Sequence, residues 1–488
     1  MRQSNIGVIK TLACFRFFPF GHSFTSHQLR LPFFVVLCLF LSTGHTQTLH
    51  LKDAVKQAME NYGSIRAKSN YLKASQAGVK QAQVDYLPVI SVGAQQSYGT
   101  INGQFGPLIA SGGLNAASAG PPFEEQNWHA AFGSLYLANI NWDFFTFGRV
   151  KEKVRVAQAE QRRNAGDLEQ EKFQHQVRVA AVYLNLLAGH RLKLAQQKNV
   201  ERANALRAVV QARTINGLNP GVDSSLANAE LSSAKIALTN AINYEQEQAA
   251  QLAQLIGVPY QEFNLDTLFI NRIPASLFDT ASTNQDQHPL LQFYQRRIEV
   301  SKEQEKYYDR LKYPVFSLIG VLQARGTGFE YDYNELNPAA YSSKYWTGIK
   351  PTRSNYLVGM GVTWNLTNIK RIQQQVQAQE FTSKGLQNEY EQVSQQVKTQ
   401  LALAEQQMKN AIANYNEAPI QLKAASDAYL QKTVLYRNGL ATIVDVTVAL
   451  YTLNRAETER DIANNNVWQA LLLKAAASGD FGLFLDEF

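Results

Sequence analysis

YRNGLATIVDV, residues 436–446, holds the end of one helix and the start of another within a few positions. Asn438-Gly439 supplies a left-handed helix stop. Thr442, followed three residues later by Asp445, is typical of a capping box that starts the next helix. The stretch therefore predicts the tip of a helical hairpin.

A second tip lies earlier in the chain, at residues 213–223, RTINGLNPGVD. Gly217 and Gly439 are 222 positions apart (439 minus 217). The same offset relates further pairs, namely Asp223/Asp445, Trp142/Trp364, Arg149/Arg371, Leu231/Leu453, Ala234/Ala456 and Gly257/Gly479. A fixed offset shared by so many residue types indicates a tandem duplication of one long unit.

The offset changes upstream, where Pro88 and Pro314 are 226 positions apart (314 minus 88). The difference in length therefore falls between Pro88 and Trp142. We expect a surface loop in that interval.

Composition argues against several functional classes. The 488 residues carry a net charge of +7 with no clustered Lys/Arg tract, so we expect no nucleic-acid partner. The eight histidines are scattered without zinc-binding spacing, and no Gly-rich phosphate loop or nucleophile elbow is present in the sequence. We expect no catalytic residues, no cofactor and no metal site.

The N-terminal segment predicts secretion. Residues 31–41 form an apolar run after Arg30 that is too short to span a membrane as a helix but fits the core of a signal peptide. We assign residues 1–47 to this peptide. Both cysteines, Cys14 and Cys38, lie within it, so we expect a mature chain without thiols.

The mature chain alternates helical and strand patterns. Residues 49–86 have helical spacing. Residues 128–144 alternate like a membrane strand: Trp128, Phe132, Tyr136 and Ile140 share one face, with Ser134 as an exception, and His129, Asn139, Asn141 and Asp143 share the other. One face suits lipid and the other suits water.

The duplication gives the following division. Repeat 1 covers residues 48–257, with strands at about 88–101 and 128–144, a long helix at 149–214 and a return helix at 222–256. A linker covers 258–286. Repeat 2 covers 287–479, with strands at about 314–325 and 355–366, a long helix at 370–437, in which Pro419 predicts a kink, and a return helix at 443–477. Residues 480–488 form a C-terminal tail.

Four membrane strands cannot close a barrel alone, because a closed single-chain barrel needs about eight. Lipid cannot satisfy open sheet edges, so several copies must contribute strands to one barrel. The alternative is a soluble coiled-coil protein with short hairpins. The signal peptide and the two-faced strands weigh against it.

With the duplicated helix-strand-strand-helix-helix order, the strand-to-helix passages WDFFTFGRV and WNLTNIKRI, and NGLATIVDV at the second tip, the chain resembles the TolC family of outer-membrane efflux proteins. The resemblance implies an α+β membrane protein in the outer membrane, a homotrimer with a 12-stranded β-barrel that continues into a periplasmic α-helical barrel. It also implies an equatorial belt built from the linker and the C-terminal tail.

The resemblance further implies an exit channel for efflux or type I secretion, loaded by an inner-membrane transporter through a periplasmic adaptor. The adaptor would dock on both tips, at Asn216, Gly217 and Leu218, and at Asn438, Gly439 and Leu440. The same glycines also act as helix caps, and the two roles are compatible. A structural or adhesin-like outer-membrane protein is the alternative function.

By the same resemblance, Asp445 and its counterpart Asp223 would line the pore constriction, with Tyr436 associated with the gate. Asp445 also suits a simpler role, as an acid that complements the dipole of a helix start. Two positions depart from the family pattern: Val448 replaces a second acid, and Ala441 replaces the basic residue that locks the gate.

Overall fold

The computed structural model describes residues 48–103, 120–266, 273–274 and 287–488. The predicted signal peptide, with Cys14 and Cys38, lies outside the described residues. So do the middle of the predicted surface loop and most of the linker after residue 266.

Both repeats contain a helical entry, two strands, a long helix and a return helix. Repeat 1 consists of α1 Leu51–Asn61, α2 Gly63–Val84, β1 Val89–Thr100, β2 Ala130–Phe145, α3 Arg149–Ile215 and α4 Gly221–Ile256. Repeat 2 consists of α5 Pro289–Arg310, β3 Val315–Thr327, α6 Tyr345–Ile349, β4 Arg353–Thr363, α7 Asn368–Arg437 and α8 Ile443–Ser478, and is followed by α9 Gly482–Leu485. With 67 and 70 residues, α3 and α7 are each roughly 100 Å long.

The entry to repeat 1 corrects the sequence interpretation, which gave a single helix over residues 49–86. Tyr62 separates α1 from α2 because its backbone is extended, with φ −67° and ψ 122°. Its ring stacks on His175 of α3, with ring centroids 3.7 Å apart. A tertiary contact therefore overrides the helical spacing, which cannot reveal such a partner.

The second long helix runs through Pro419. Proline lacks the N–H that would bond to the carbonyl four residues earlier, at Tyr415, yet the helix does not end there. The kink of its axis stays a prediction. Among the described residues, no helix is both long and apolar enough to cross a membrane.

The four strands form one antiparallel sheet in the order β1-β2-β3-β4. Directly paired residues share a face, as in Ile90↔Ile140 and Leu322↔Tyr356. One face, the apolar face, is rich in large hydrophobic residues, namely Ile90, Val92, Phe132, Tyr136, Ile140, Leu318, Leu322, Tyr356, Val358 and Met360. The opposite face, the polar face, carries amides at Asn139, Asn141, Gln323 and Asn355.

The sheet is bounded by tryptophans where it meets the helices. The indole Nε1 of Trp142 donates to the carbonyl of Tyr86 at 2.9 Å, and Trp364 donates to Lys312 at 3.0 Å. The two tryptophans are 222 positions apart (364 minus 142), so both repeats fasten strand to helix in the same way.

Among the described residues, the largest core lies where α1, α3, α4, α7 and α8 meet, around the fully buried Trp468 and Tyr183. The hydroxyl of Tyr183 donates to the carbonyl of Leu49 at 2.7 Å. Leu49 also pairs with Leu265, so the start of the linker packs beside α1. The C-terminal residues Phe481 and Phe484 complete this core.

Phe484→Ala tests the contribution of the C-terminal residues. The ring is fully buried, with centroids 5.2 Å from Phe488 and 5.8 Å from Phe481. Its removal should lower the free energy of unfolding by about 3–5 kcal/mol, measured by denaturant unfolding followed by circular dichroism. Leu336→Ala, at a side chain that is 97% exposed, is the control and should change it by less than about 0.5 kcal/mol. Equal effects would contradict this assignment of the core.

Candidate functional site

The two helical tips end in the same backbone motif. After α7, the N–H of Leu440 donates to the carbonyl of Leu435 at 2.8 Å and that of Gly439 to Tyr436 at 3.0 Å. After α3, Leu218 bonds to Arg213 and Gly217 to Thr214 at 2.8 and 3.0 Å. This is the Schellman pattern, which needs a left-handed residue at the glycine.

Both tip glycines have that conformation, with φ of 72° at Gly217 and 74° at Gly439. A Cβ built on either would have no atom within 4 Å, so the backbone there is open to a partner. The leucines that follow are exposed, Leu218 by 68% and Leu440 by 74%. The predicted docking residues thus form two exposed tips, each with an apolar side chain.

The helix that follows the second tip, α8, starts with a complete capping box. The hydroxyl of Thr442 accepts from the N–H of Asp445 at 3.2 Å, and the Asp445 carboxylate accepts from the N–H of Thr442 at 3.0 Å. The helix α8 therefore begins at Ile443, as the sequence pattern indicates.

Asp445 has a second partner that the sequence did not reveal. The Nζ of Lys432, near the end of α7, lies 3.1 Å from Asp445 Oδ1. The hydrogen bonds from Thr442, and then the Lys432 ammonium, lower the pKa of this carboxyl to about 2. Asp445 is therefore ionised at neutral pH, with a cation held beside it.

The first tip is joined to the second through Asn219. Its Nδ2 donates to Asp223 Oδ2 at 2.7 Å and to the hydroxyl oxygen of Tyr436 at 3.0 Å. Its Oδ1 accepts from Arg213 Nε at 2.9 Å. One amide thus connects the acid of repeat 1 to the tyrosine of repeat 2.

Arg213 adds two further contacts between the tips. Its Nη1 donates to the carbonyl of Arg437 at 3.0 Å, and its guanidinium lies 5.3 Å from the centre of the Tyr436 ring. Burial raises the pKa of Tyr436, so its phenol stays neutral at physiological pH. We call Arg213, Asn219, Asp223 and Tyr436 the tip network.

A small apolar cluster packs against the tip network on the side of the helices that lead into the tips. It packs the ring of Tyr436, on α7, against buried residues of α3, α4 and α8, namely Ala203, Leu206, Val210, Ala227, Leu231, Ala234, Ile443, Val446 and Leu450. The two tips of one chain consequently lie side by side at the same level. Ala441, at the position where the family pattern has a basic residue, packs against this cluster.

The structure separates the two predicted constriction acids. Asp223 belongs to the tip network, whereas Asp445 is bonded to Thr442 and Lys432. Sequence reasoning missed Asn219, Arg213 and Lys432. The repeat offset offered a signal for the first, because Asn219 is the counterpart of Ala441 (441 minus 222).

Comparison with known proteins follows the same division. Residues 54–258, which fall within repeat 1, match the family model described as Outer membrane efflux protein. Among curated protein sequences, none matches the chain.

Solved structures share the fold over most of the chain. VceC from Vibrio cholerae is 16% identical, with a TM-score of 0.70 over 88% of this chain and 96% of its own. CmeC from Campylobacter jejuni is 16% identical, with a TM-score of 0.70 over 88% and 85%. MtrE from Neisseria gonorrhoeae is 16% identical, with a TM-score of 0.67 over 88% and 89%. All three are described as outer-membrane proteins or channels.

The family model matches repeat 1, and repeat 2 carries the same elements in the same order within the same overall fold. Residues 54–258 thus match the family described as Outer membrane efflux protein, and most of the chain has the fold of solved outer-membrane channels.

Proposed function

We propose that three copies of this chain close one channel through the outer membrane, and that a periplasmic adaptor joins its helical tips to an inner-membrane transporter. The strands of the three copies form a 12-stranded barrel, and their long helices form the duct below it. Substrates leave the cell through this duct, and the energy for transport comes from the transporter.

The open edges of the four-stranded sheet carry the proposal. In the described part of the chain, β1 and β4 each pair with one strand only. Lipid offers no hydrogen bonds to the free edge of a strand, so an apolar sheet in a bilayer must close. Edge strands of further copies can close it, and the family resemblance sets the number at three.

The helical part also presents surfaces that suit contacts between copies. Large apolar side chains are exposed along α7 and α8, among them Phe381, Leu403, Ile420, Leu430, Tyr451 and Ile462. Such stripes on long helices favour packing against neighbouring helices. Three copies side by side would cover them and extend the barrel as a helical tube.

Adaptor docking is assigned to the exposed glycines and leucines of the tips. Gly439→Trp should abolish adaptor-dependent efflux while the trimer still assembles, because the bulky ring occupies the open backbone surface. Drug susceptibility of cells that rely on this channel measures efflux, and cross-linking measures assembly. Gly439→Asn is the matched control, since asparagine tolerates the left-handed conformation without the bulk. Normal efflux with tryptophan at this position would contradict docking there.

We assign the tip network to the closed state of the channel. Asn219→Ala removes the amide that holds Asp223 and Tyr436 together, and each lost hydrogen bond is worth about 1 kcal/mol. The two lost bonds together are worth about 2 kcal/mol, so the opening equilibrium should shift roughly thirtyfold toward the open state, measured as open probability in single-channel recordings. In the control Asn216→Ala, the lost amide bonds only to Ala212 of its own helix at 2.8 Å. An unchanged open probability in Asn219→Ala would exclude a gating role.

We assign Asp445 and Lys432 to the pore constriction. In a trimer the three Asp445 carboxylates form a ring that favours cations, and the three Lys432 ammonium groups beside them weaken that preference. Lys432→Gln should raise the cation-to-anion permeability ratio and Asp445→Asn should lower it, measured as reversal potentials in planar bilayers. Lys398→Gln, an exposed lysine far along the same helix, should leave it unchanged.

The pH dependence follows from the carboxyl group. Because its pKa is lowered to about 2, the charge of Asp445 is kept on acidification until the pH falls through that value. The cation preference should thus be the same at neutral pH and at about pH 4. A loss of preference at about pH 4 would show that another acid sets the selectivity.

Purified trimers that conduct no ions in a planar bilayer would contradict the proposed channel itself.

A further inference from the structure

The segment between β3 and β4 folds back onto the sheet at the end far from the long helices. Its short helix α6, Tyr345–Ile349, lies against β2 and β3. The carbonyl of Ile349 accepts from Ser134 Oγ at 3.0 Å and from the Tyr136 hydroxyl at 3.1 Å. The hydroxyl of Tyr345 donates to Gln96 Oε1 at 2.8 Å.

The approach is close because glycines remove the side chains in between. A Cβ at Gly348 would overlap the backbone of Phe132, and one at Gly326 would overlap the carbonyl of Lys350. The rings of Phe132 and Tyr345 meet edge to face, 5.2 Å apart. The segment 343–352, which we call the rim segment, is thus packed on the sheet and does not extend away from it.

The rim segment lies on the apolar face of the sheet. Gln96, Phe132, Ser134 and Tyr136 have the same side-chain direction as Ile140 and Val92, since directly paired residues share a face. Asn139 and Asn141, one position out of phase, point to the polar face. In a closed barrel with a polar interior, the rim segment is therefore on the lipid side.

This position explains two polar residues on a surface that otherwise suits lipid. Gln96 and Ser134 interrupt the apolar face near its outer end, and both bond to the rim segment. The Oε1 of Gln96 accepts from Tyr345, and the Oγ of Ser134 donates to the Ile349 carbonyl. Ser134 is accordingly 7% exposed.

The outer surface of the rim segment combines an aromatic group with positive charge. The indole of Trp346 is 77% exposed and the ring of Tyr345 is 42% exposed. Lys344 and Lys350, on either side of α6, are also exposed. Tryptophan and tyrosine concentrate at the boundary between acyl chains and headgroups, and lysine ammonium groups pair with lipid phosphates there.

We propose that the rim segment binds the phosphate-bearing headgroups of outer-leaflet lipids. Trp346 enters the boundary between headgroups and acyl chains, and Lys344 and Lys350 contact the phosphates. The contact fixes the outer rim of the barrel at the membrane surface. The proposal rests on the outer-membrane barrel assigned above and adds a lipid site on its outside.

Quenching of tryptophan fluorescence by brominated lipids tests the position of Trp346. The full chain is reconstituted in vesicles of phosphatidylglycerol and phosphatidylcholine. The acyl chains carry bromine either near the headgroups or near the centre of the bilayer. The difference in fluorescence emission between the wild type and Trp346→Phe gives the contribution of Trp346. We expect at least about twofold stronger quenching by bromine near the headgroups, because interfacial tryptophans sit at that depth.

Trp142→Phe distinguishes failure of this proposal from failure of the membrane assignment. Trp142 lies on the same face at the opposite end of the sheet, beside Tyr86. If its signal is quenched and that of Trp346 is not, the rim segment is in water and the proposal is wrong. If neither is quenched, the apolar face does not contact lipid, and the barrel assignment fails as well.

The lysines are tested by lipid selectivity. In the double variant Lys344→Gln/Lys350→Gln, quenching of Trp346 should lose its dependence on the share of phosphatidylglycerol. The wild-type signal should rise with that share, since each lysine near an anionic surface contributes about 1 kcal/mol. Lys398→Gln/Lys409→Gln, with exposed lysines on α7, should behave as the wild type. Equal dependence in both double variants would remove the phosphate contact from the proposal.

Discussion

The unpaired edges of the four-stranded sheet are the constraint on which the rest of the structure depends. The sheet has one apolar face, yet within the described residues β1 and β4 each pair on one side only and leave backbone groups unpaired on the other. In water these groups would be solvated, but in lipid they must bond to other strands. Assembly is therefore a requirement of the fold, and helices roughly 100 Å long, attached directly to the strands, must follow the symmetry that the strands impose.

The tandem duplication is the second feature that organises the structure. The two repeats of one chain differ in sequence at their tips, where they contact each other. Both tips keep the Schellman ending and the acid that follows it, at Asp223 and Asp445. Repeat 1 has Asn219 where repeat 2 has Ala441. Only the asparagine side chain can donate hydrogen bonds, and it bonds both to Asp223 of repeat 1 and to Tyr436 of repeat 2. The acid of repeat 2 is bonded instead to Thr442 and Lys432. Two equivalent carboxylates thus have different environments, one in a contact between tips and one at a helix start with a cation.

Local sequence patterns predicted the features that depend on local chemistry. Asn438-Gly439 and Thr442 with Asp445 give the stop and start of the helices, because both motifs are closed by neighbouring backbone groups. Alternation over β2 gave its two faces. The break at Tyr62, the ion pair of Lys432 with Asp445 and the contacts of Arg213 each require a partner from another element, which periodicity does not identify. Ser134 looked like an exception for the same reason, since its partner is a carbonyl more than two hundred residues away.

The side of the sheet on which the outer loop folds bears on transport. The rim segment lies on the apolar face, so it takes up no space over the polar face that lines the interior of a closed barrel. The tip network joins the two hairpins of each chain at the other end, and the closure of the channel is proposed there. Closure at the tips, as proposed above, would place control of the channel at the surface that is proposed to bind an adaptor. Under this proposal the duct opens from the periplasmic side, and the rim segment holds its outer end in the membrane.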